Sequence, residues 1–317
     1  MWWVIRGSLI NHRKITVMKL LNNVTRLLIM MLVAVTLMFV SCQKESSNSP
    51  QVDETNFGNI SSESDAEAET VFDDVFDNVL GVNGEVGVGG TGVFNRVAEE
   101  SAGNRTDSLS NPCFTVTITP MSPPNLFPVK VVIDFGTGCT GRDGRTRKGK
   151  IIAIYTGRIT VPGKSVITTF DGYYVNDTKV EGEHKIENQS TSNVWAYAVT
   201  VKNAKLTKPN GNFIQWNSGK VITQIEGLGT PLFPRDDVFS VRGETNGAVK
   251  RDTIYYQWSA RTIEPLIKRF SCYWIVKGKI GIRRTNTDGA VIDYGNGDCD
   301  NKATITINNV PHEITLY

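Results

Sequence analysis

The feature that most constrains this chain is a pair of cysteine-flanked units that read as two copies of one hairpin. Cys113 opens an apolar, β-branched run, and Cys139 closes a second one containing Val131-Val132-Ile133-Asp134-Phe135-Gly136-Thr137-Gly138. Far downstream, Cys272 and Cys299 bracket a matching pair whose second half contains Ala290-Val291-Ile292-Asp293-Tyr294-Gly295-Asn296-Gly297. The separations are 26 and 27 residues. Folding each unit at its midpoint places turns near Leu126, in a Pro-rich loop, and near Thr285-Asn286, beside Asn286-Thr287-Asp288-Gly289. Both are sound turn chemistry. Four cysteines allow three connectivities. The hairpin geometry favours Cys113–Cys139 and Cys272–Cys299, each pair facing itself across two strands within disulfide reach. Zinc is disfavoured, because closely spaced cysteines are lacking and only His184 and His312 follow Cys42.

The chain between and around these units has one texture. From about Ser108 onward, short runs rich in Thr, Val, Ile and aromatics alternate with Gly/Asn/Asp turns, and no useful helical period appears. Strands are expected at 113–120, 129–135, 149–157, 164–175, 178–187, 194–207, 212–225, 236–243, 251–262, 271–283, 289–293 and 302–316, the last broken near Asn309. Trp195, Tyr197, Val199 and Val201 alternate with Ala196, Ala198, Thr200 and Lys202, which marks a strand with one buried and one wet face. The connections are too short for βαβ crossovers, so neighbours pair antiparallel. The expectation is an all-β domain over 106–317: an antiparallel meander forming a sandwich, open barrel or curved sheet.

Charge divides the chain into three. Residues 1–42 carry five Lys/Arg and no acid, residues 43–105 carry 13 acids against three bases, and residues 106–317 carry 26 bases against 19 acids. The acidic part, 42–105, reads as a flexible tether, since Ser46 to Glu67 offers almost nothing apolar to bury. It is interrupted by a helix at about 68–80, where Val71, Phe72, Val75, Phe76, Val79 and Leu80 form a helical stripe stopped by Gly81. That helix either packs back on the β domain or docks on a partner. The bases of 106–317 are spread along strands rather than clustered, which argues against nucleic acid. Their densest group, Arg142, Arg145, Arg147, Lys148 and Lys150, reads as a solvated β-turn.

The front of the chain reads as an export signal, residues 1–41, with Met18 as a second plausible start. Leu27 to Val40 is an uncharged run of 14 residues, too short to span a bilayer and of the length of a signal-peptide core. Phe39-Val40-Ser41-Cys42 resembles the lipobox of bacterial lipoproteins. The resemblance implies a diacylated Cys42, often with a third chain on its amine, holding the protein in a lipid bilayer. Gln43-Lys44-Glu45 resembles the Bacteroidetes signal for the outer face of the outer membrane, with the periplasmic face as the alternative.

A wider resemblance rests on the two Ile-Asp-Phe/Tyr-Gly-x-Gly hairpins, on Arg147-Lys148-Gly149-Lys150-Ile151, on Asp300-Asn301-Lys302-Ala303-Thr304 and on the acidic Phe72-Asp73-Asp74-Val75-Phe76-Asp77 helix. Together they resemble a group of uncharacterised Bacteroidetes surface lipoproteins. The likeness implies an anchored envelope protein and brings no activity with it.

Candidate chemistry is thin. Asn296, Asp298 and Asp300 open with the rhythm of a calcium loop, but the twelfth position is Ile307 and the sixth is Asn301, so turn-forming Asx residues are expected and no metal. Asp134 with Asp293, or Glu181 with Glu183, would be the carboxylates of a glycan hydrolase. Trp216, Tyr255, Tyr256, Trp258, Tyr273 and Trp274 could include a sugar-stacking platform, since adjacent strand residues point to opposite faces. Asp107-Ser108-Leu109 and Asp252-Thr253-Ile254 match the D-[S/T]-apolar pattern of Bacteroidetes O-glycosylation sites. His184 and His312 lack a nucleophile elbow for a Ser-His-Asp site. The expectation is a non-enzymatic binding or structural protein without a cofactor, its partner a glycan or another envelope protein. A glycan-active hydrolase is the alternative.

Overall fold

A computed structural model describes residues 50–80, 113–141, 143–229, 236–284 and 287–316, with side chains from Glu54 onward and excepting those of 287 and 288. The expected export signal, Cys42, Asp107-Ser108 and most of the expected tether lie outside these residues. Among the described residues, fourteen strands follow one helix, α1 (Pro50–Leu80). They are β1 (Thr115–Ser122), β2 (Asn125–Asp134), the two-residue β3 (Cys139–Thr140), β4 (Thr146–Tyr155), β5 (Ser165–Val175), β6 (Thr178–Asn188) and β7 (Ala196–Thr207). After these come β8 (Phe213–Glu226), β9 (Val238–Arg251), β10 (Ile254–Arg269), β11 (Ile275–Arg284), β12 (Thr287–Asn296), β13 (Lys302–Ile307) and β14 (Val310–Thr315).

Every strand pairing is antiparallel between neighbours in the chain, apart from β3, which pairs β4 beside the β2–β4 pairing. The result is a single meander from β1 to β14, both of which are edge strands among the described residues, and the sheet is not closed. Its turns are those the residues favour. Asn176-Asp177 and Asn308-Asn309 join β5–β6 and β13–β14 with positive φ at both positions, the conformation that tight hairpins require. The expected strands are all present. The main difference is β9, which runs on to Arg251 and turns at Asp252-Thr253 where a break after residue 243 was expected.

The two disulfides are Cys113–Cys139 and Cys272–Cys299, with Cα atoms 5.3 and 5.8 Å apart. The repeat is structural at its Asp-aromatic-Gly step. Asp134 Oδ1 accepts from the Gly136 N–H at 2.8 Å and Asp293 Oδ1 from the Gly295 N–H at 3.0 Å. Phe135 and Tyr294 between them are buried.

The sheet's inner face is the alternating set of each strand: Val131 and Ile133 on β2, Ile151, Ala153 and Tyr155 on β4, Ile186 on β6, Trp216 on β8, Trp258 on β10, Ile280 and Ile282 on β11, and Ile305 on β13. All of them enclose α1. From Phe57 to Leu80 no helix residue is exposed, so the helix is surrounded rather than laid on one face. The tether expectation is corrected here: α1 begins 18 residues before 68, and most of the polar stretch 57–67 is buried, with Asn59, Ile60 and Glu63 half-buried.

A polar helix can sit in that position because the sheet answers its charges. Glu54 faces Arg284 at 3.6 Å, Glu63 faces Arg251 at 3.0 Å, and Glu67 faces Lys208 at 2.9 Å. Glu69 pairs with Lys220. Asp74 binds Arg147 at 2.6 Å and Arg145 at 3.5 Å, while Lys268 lies 3.5 Å from Asp73 and 3.2 Å from Asp77. Asp65 is held without a cation among the described residues. Its Oδ1 accepts from the Trp216 and Trp258 indoles at 2.9 and 3.0 Å and from the Thr245 hydroxyl at 2.7 Å. Room for Trp258 comes from Gly247, where a Cβ would lie 2.3 Å from the indole. The apolar side of α1 fills the remaining space: Phe72 stacks on Trp216, Phe57 meets Tyr256 edge-on, and the Val79 carbonyl accepts from the Tyr155 hydroxyl at 2.6 Å.

Candidate binding face

Two basic surfaces line this sheet, one inside and one outside, and they differ in what meets them. Inside, burial perturbs the ionisable groups, and perturbed groups are the usual first candidates for chemistry. Burial and the neighbouring Asp73 push Asp77 up to about 7 against the pull of Lys268. Burial pushes Glu69 up to about 7 despite Lys220. Burial would also raise Asp74, yet Arg147, with Arg145 and Lys268 behind it, holds this carboxyl below the ordinary range. Burial drives His184 down to about 3, with Lys220 adding to the fall; its ring stacks on Phe72 at 6.3 Å and meets Phe76 edge-on. These groups are enclosed between α1 and the sheet, where each shift is accounted for by burial and by helix–sheet pairing. Among them only Asp74 reaches a hollow, a cavity of about 250 Å³ that it lines with Glu67, Arg145 and Lys208, and there it is already bound to Arg147 and Arg145.

The outer face carries the larger hollow. A cavity of about 850 Å³ lies across β7–β11, and a second of about 370 Å³ continues it across β10–β13. The strand register lays out its surface in rows. One row runs Asn217, Asn246, Ser259, Arg283, and the next runs Gly219, Glu244, Arg261, Gly281, Val291, Thr306. Beside them lie Val221 paired with Arg242, and Lys202 on β7. These side chains point outward because their neighbours Ser218, Ile222, Val241, Thr245, Ala260 and Ile282 are buried on the inner face. The missing side chain at Gly219 hollows the row, whereas the space at Gly281 is taken by Ile263, whose Cδ1 a Cβ would meet at 2.9 Å. A Cβ at Gly219 would meet nothing within 4 Å. At the floor, Gly243 approaches so closely that a Cβ would lie 2.4 Å from the Gly219 carbonyl. The β9–β10 register shifts between Arg261 and Leu266, and the Thr262 hydroxyl takes the Gly243 N–H at 3.0 Å in place of a ladder bond. A bulged sheet bends at such a point.

Electrostatically this face is open. Lys202, Arg242 and Arg261 make no side-chain ion pair among the described residues, and Glu244 makes none either. Asn217 Nδ2 donates to Asn246 Oδ1 at 3.3 Å, so the two amides form a ladder between the cations. No aromatic side chain lines either cavity.

The residues singled out from sequence lie elsewhere. Asp134 is 3.5 Å from Lys150 and Asp293 is 3.6 Å from Lys279, in addition to their turn bonds. Glu181 is paired with Lys179 at 2.7 Å. None of these, nor Glu183, lines the two outer cavities. Asp300 Oδ1 accepts from the Lys302 N–H at 2.9 Å, the Asx-turn role, and no group of three His, Cys, Asp or Glu among the described residues is placed to hold a metal. Trp216 and Trp258 are core, and of the pair Tyr255-Tyr256 it is Tyr256 that packs inward while Tyr255 is exposed. Tyr273 and Trp274 fall between β10 and β11 and not in a strand. His312 is exposed on β14, and Asp252-Thr253 is an exposed turn. The basic group at 145–147 is not a solvated turn: Arg145 and Arg147 are buried against Asp74. Sequence reading passed over Lys202, Arg242, Arg261 and Arg283, because their spacing along the chain hides that the register makes them neighbours. Outward parity combined with the outward glycines Gly219 and Gly281 is the signal that would have found them. Comparison with protein-family models, curated proteins and solved structures finds no match to this chain.

Proposed function

We propose that this chain is an exported binding protein, held on the outer membrane through an acylated Cys42, which presents the outer face of β7–β13 to an anionic ligand and carries out no reaction on it. The observation that supports this most is the contrast at Lys202, Arg242 and Arg261: three cations on a hollowed face without ion-pair partners among the described residues, where burial inside the sheet comes with pairing. Desolvated or not, an unpaired cation gains from an arriving anion what a paired one has already spent on its partner. The sequence supports the anchor, with an apolar core of signal-peptide length ending at Ser41-Cys42. Two acyl chains or more give stable attachment where one does not.

The test is made in cells. Full-length protein should fractionate with membranes and take up labelled palmitate, and Cys42→Ala should abolish both. Cells carrying the protein should retain a fluorescent sulfated dextran, and the Arg242→Ala/Arg261→Ala variant should lose most of that retention at equal surface level. Retention unaffected by the double variant would remove the face from the reading.

A further inference from the structure

We infer that the ligand of this face is an acidic polysaccharide lying across the strands from β7 to β13. The inference rests on the binding reading above and names its ligand. The two cavities are one groove, because both are lined by Arg261, Gly281 and Arg283. At about 4.8 Å per strand the seven strands give a track of roughly 29 Å, which is polymer length and far longer than a free sulfate or phosphate needs. Along that track the charges are spaced, not massed. Lys202 stands on β7, Arg242 on β9, Arg261 on β10 and Arg283 on β11, with the carboxylate of Glu244 among them. A chain bearing one carboxylate or sulfate every sugar or every second sugar has that rhythm.

The ground between the charges is suited to hydroxyl groups. Asn217, Asn246 and Ser259 sit in one row across β8–β10, and Thr306, Asn308 and Asn309 line the far end. Amides and hydroxyls both donate and accept, as a sugar's hydroxyls do. A single-stranded nucleic acid would draw on stacking against aromatic rings, and neither cavity has one. A Cβ at Gly219 would meet nothing within 4 Å, which makes the position a clean place to obstruct the groove.

The experiment uses the full, detergent-solubilised chain and titrates it at low salt with a galacturonate decamer, a galacturonate dimer, neutral dextran, inorganic sulfate and a single-stranded DNA of ten nucleotides. The decamer should bind at least tenfold tighter than the dimer, more weakly as salt rises, and dextran should not bind. Gly219→Trp and Arg261→Ser should each weaken the decamer at least tenfold with the thermal midpoint unchanged, which separates a blocked groove from a lost fold. Decamer, dimer and sulfate binding equally would overturn the polymer while leaving an anion-binding face. DNA binding tighter than the decamer would overturn the sugar. Failure of every anion to bind the wild-type protein would overturn the binding reading itself.

Discussion

The inner and outer faces of this sheet carry the same kinds of cation and use them oppositely. Lys268 is wholly buried and lies between Asp73 and Asp77 of α1. Arg261, on the same strand, faces out over a hollow and has no ion pair among the described residues. Removing one member of a buried pair leaves an uncompensated charge and costs about 3–5 kcal/mol, whereas an exposed charge rarely contributes more than 1 kcal/mol. A β-strand here divides by parity: one set of alternate residues holds the helix, and the other faces outward, where the proposed ligand would lie.

That comparison can be broken at its inner side first. Asp65 gathers two indole N–H groups and one hydroxyl onto a single oxygen. Asp65→Ala leaves all three donors buried without an acceptor, at about 1–3 kcal/mol each. The expected loss is at least about 3 kcal/mol, read from urea unfolding, with Asp65→Asn losing less because it retains an acceptor. Equal stability of the Ala variant and wild type would mean that the helix is not held where these bonds place it.

A smaller effect sharpens the comparison through pH. His184 is neutral in the fold, its pKa depressed to about 3 by burial and then by Lys220, while an unfolded histidine titrates near 6.5. The unfolded state therefore binds the extra proton, and stability from this group is lost as pH falls from about 6.5 toward 3. At pH 5 the loss is about 2 kcal/mol. His184→Leu should remove it, so the variant gains on wild type between pH 7 and pH 5 in parallel urea titrations. Glu69 and Asp77 work in the other direction. Their folded pKa values are raised to about 7, so they favour the fold at low pH and withdraw that support as pH rises from about 4 to 7. An unchanged difference between His184→Leu and wild type across that range would show that water reaches the ring.

Much of this architecture was legible in the chain. Strand positions, the antiparallel meander and both disulfides follow from alternation, turn residues and the repeat of Ile133-Asp134-Phe135-Gly136 as Ile292-Asp293-Tyr294-Gly295. The helix was legible only where it is apolar. Glu63, Asp65, Glu67 and Glu69 looked like tether because a local reading weighs burial by hydrophobicity, and their partners Arg251, Trp216, Lys208 and Lys220 lie 141 to 188 residues away. The outer groove was hidden for a related reason. Lys202, Arg242, Arg261 and Arg283 become neighbours only through register, which depends on bulges such as the shifts at Val201/Ala204 and Arg261/Leu266.

The division by parity is tested most directly by two substitutions on β10, Lys268→Met and Arg261→Met, compared with wild type by equilibrium urea unfolding at pH 7. Lys268→Met should lose about 3–5 kcal/mol and Arg261→Met should stay within about 0.5 kcal/mol of wild type. Equal losses, or the larger loss at Arg261, would contradict the account.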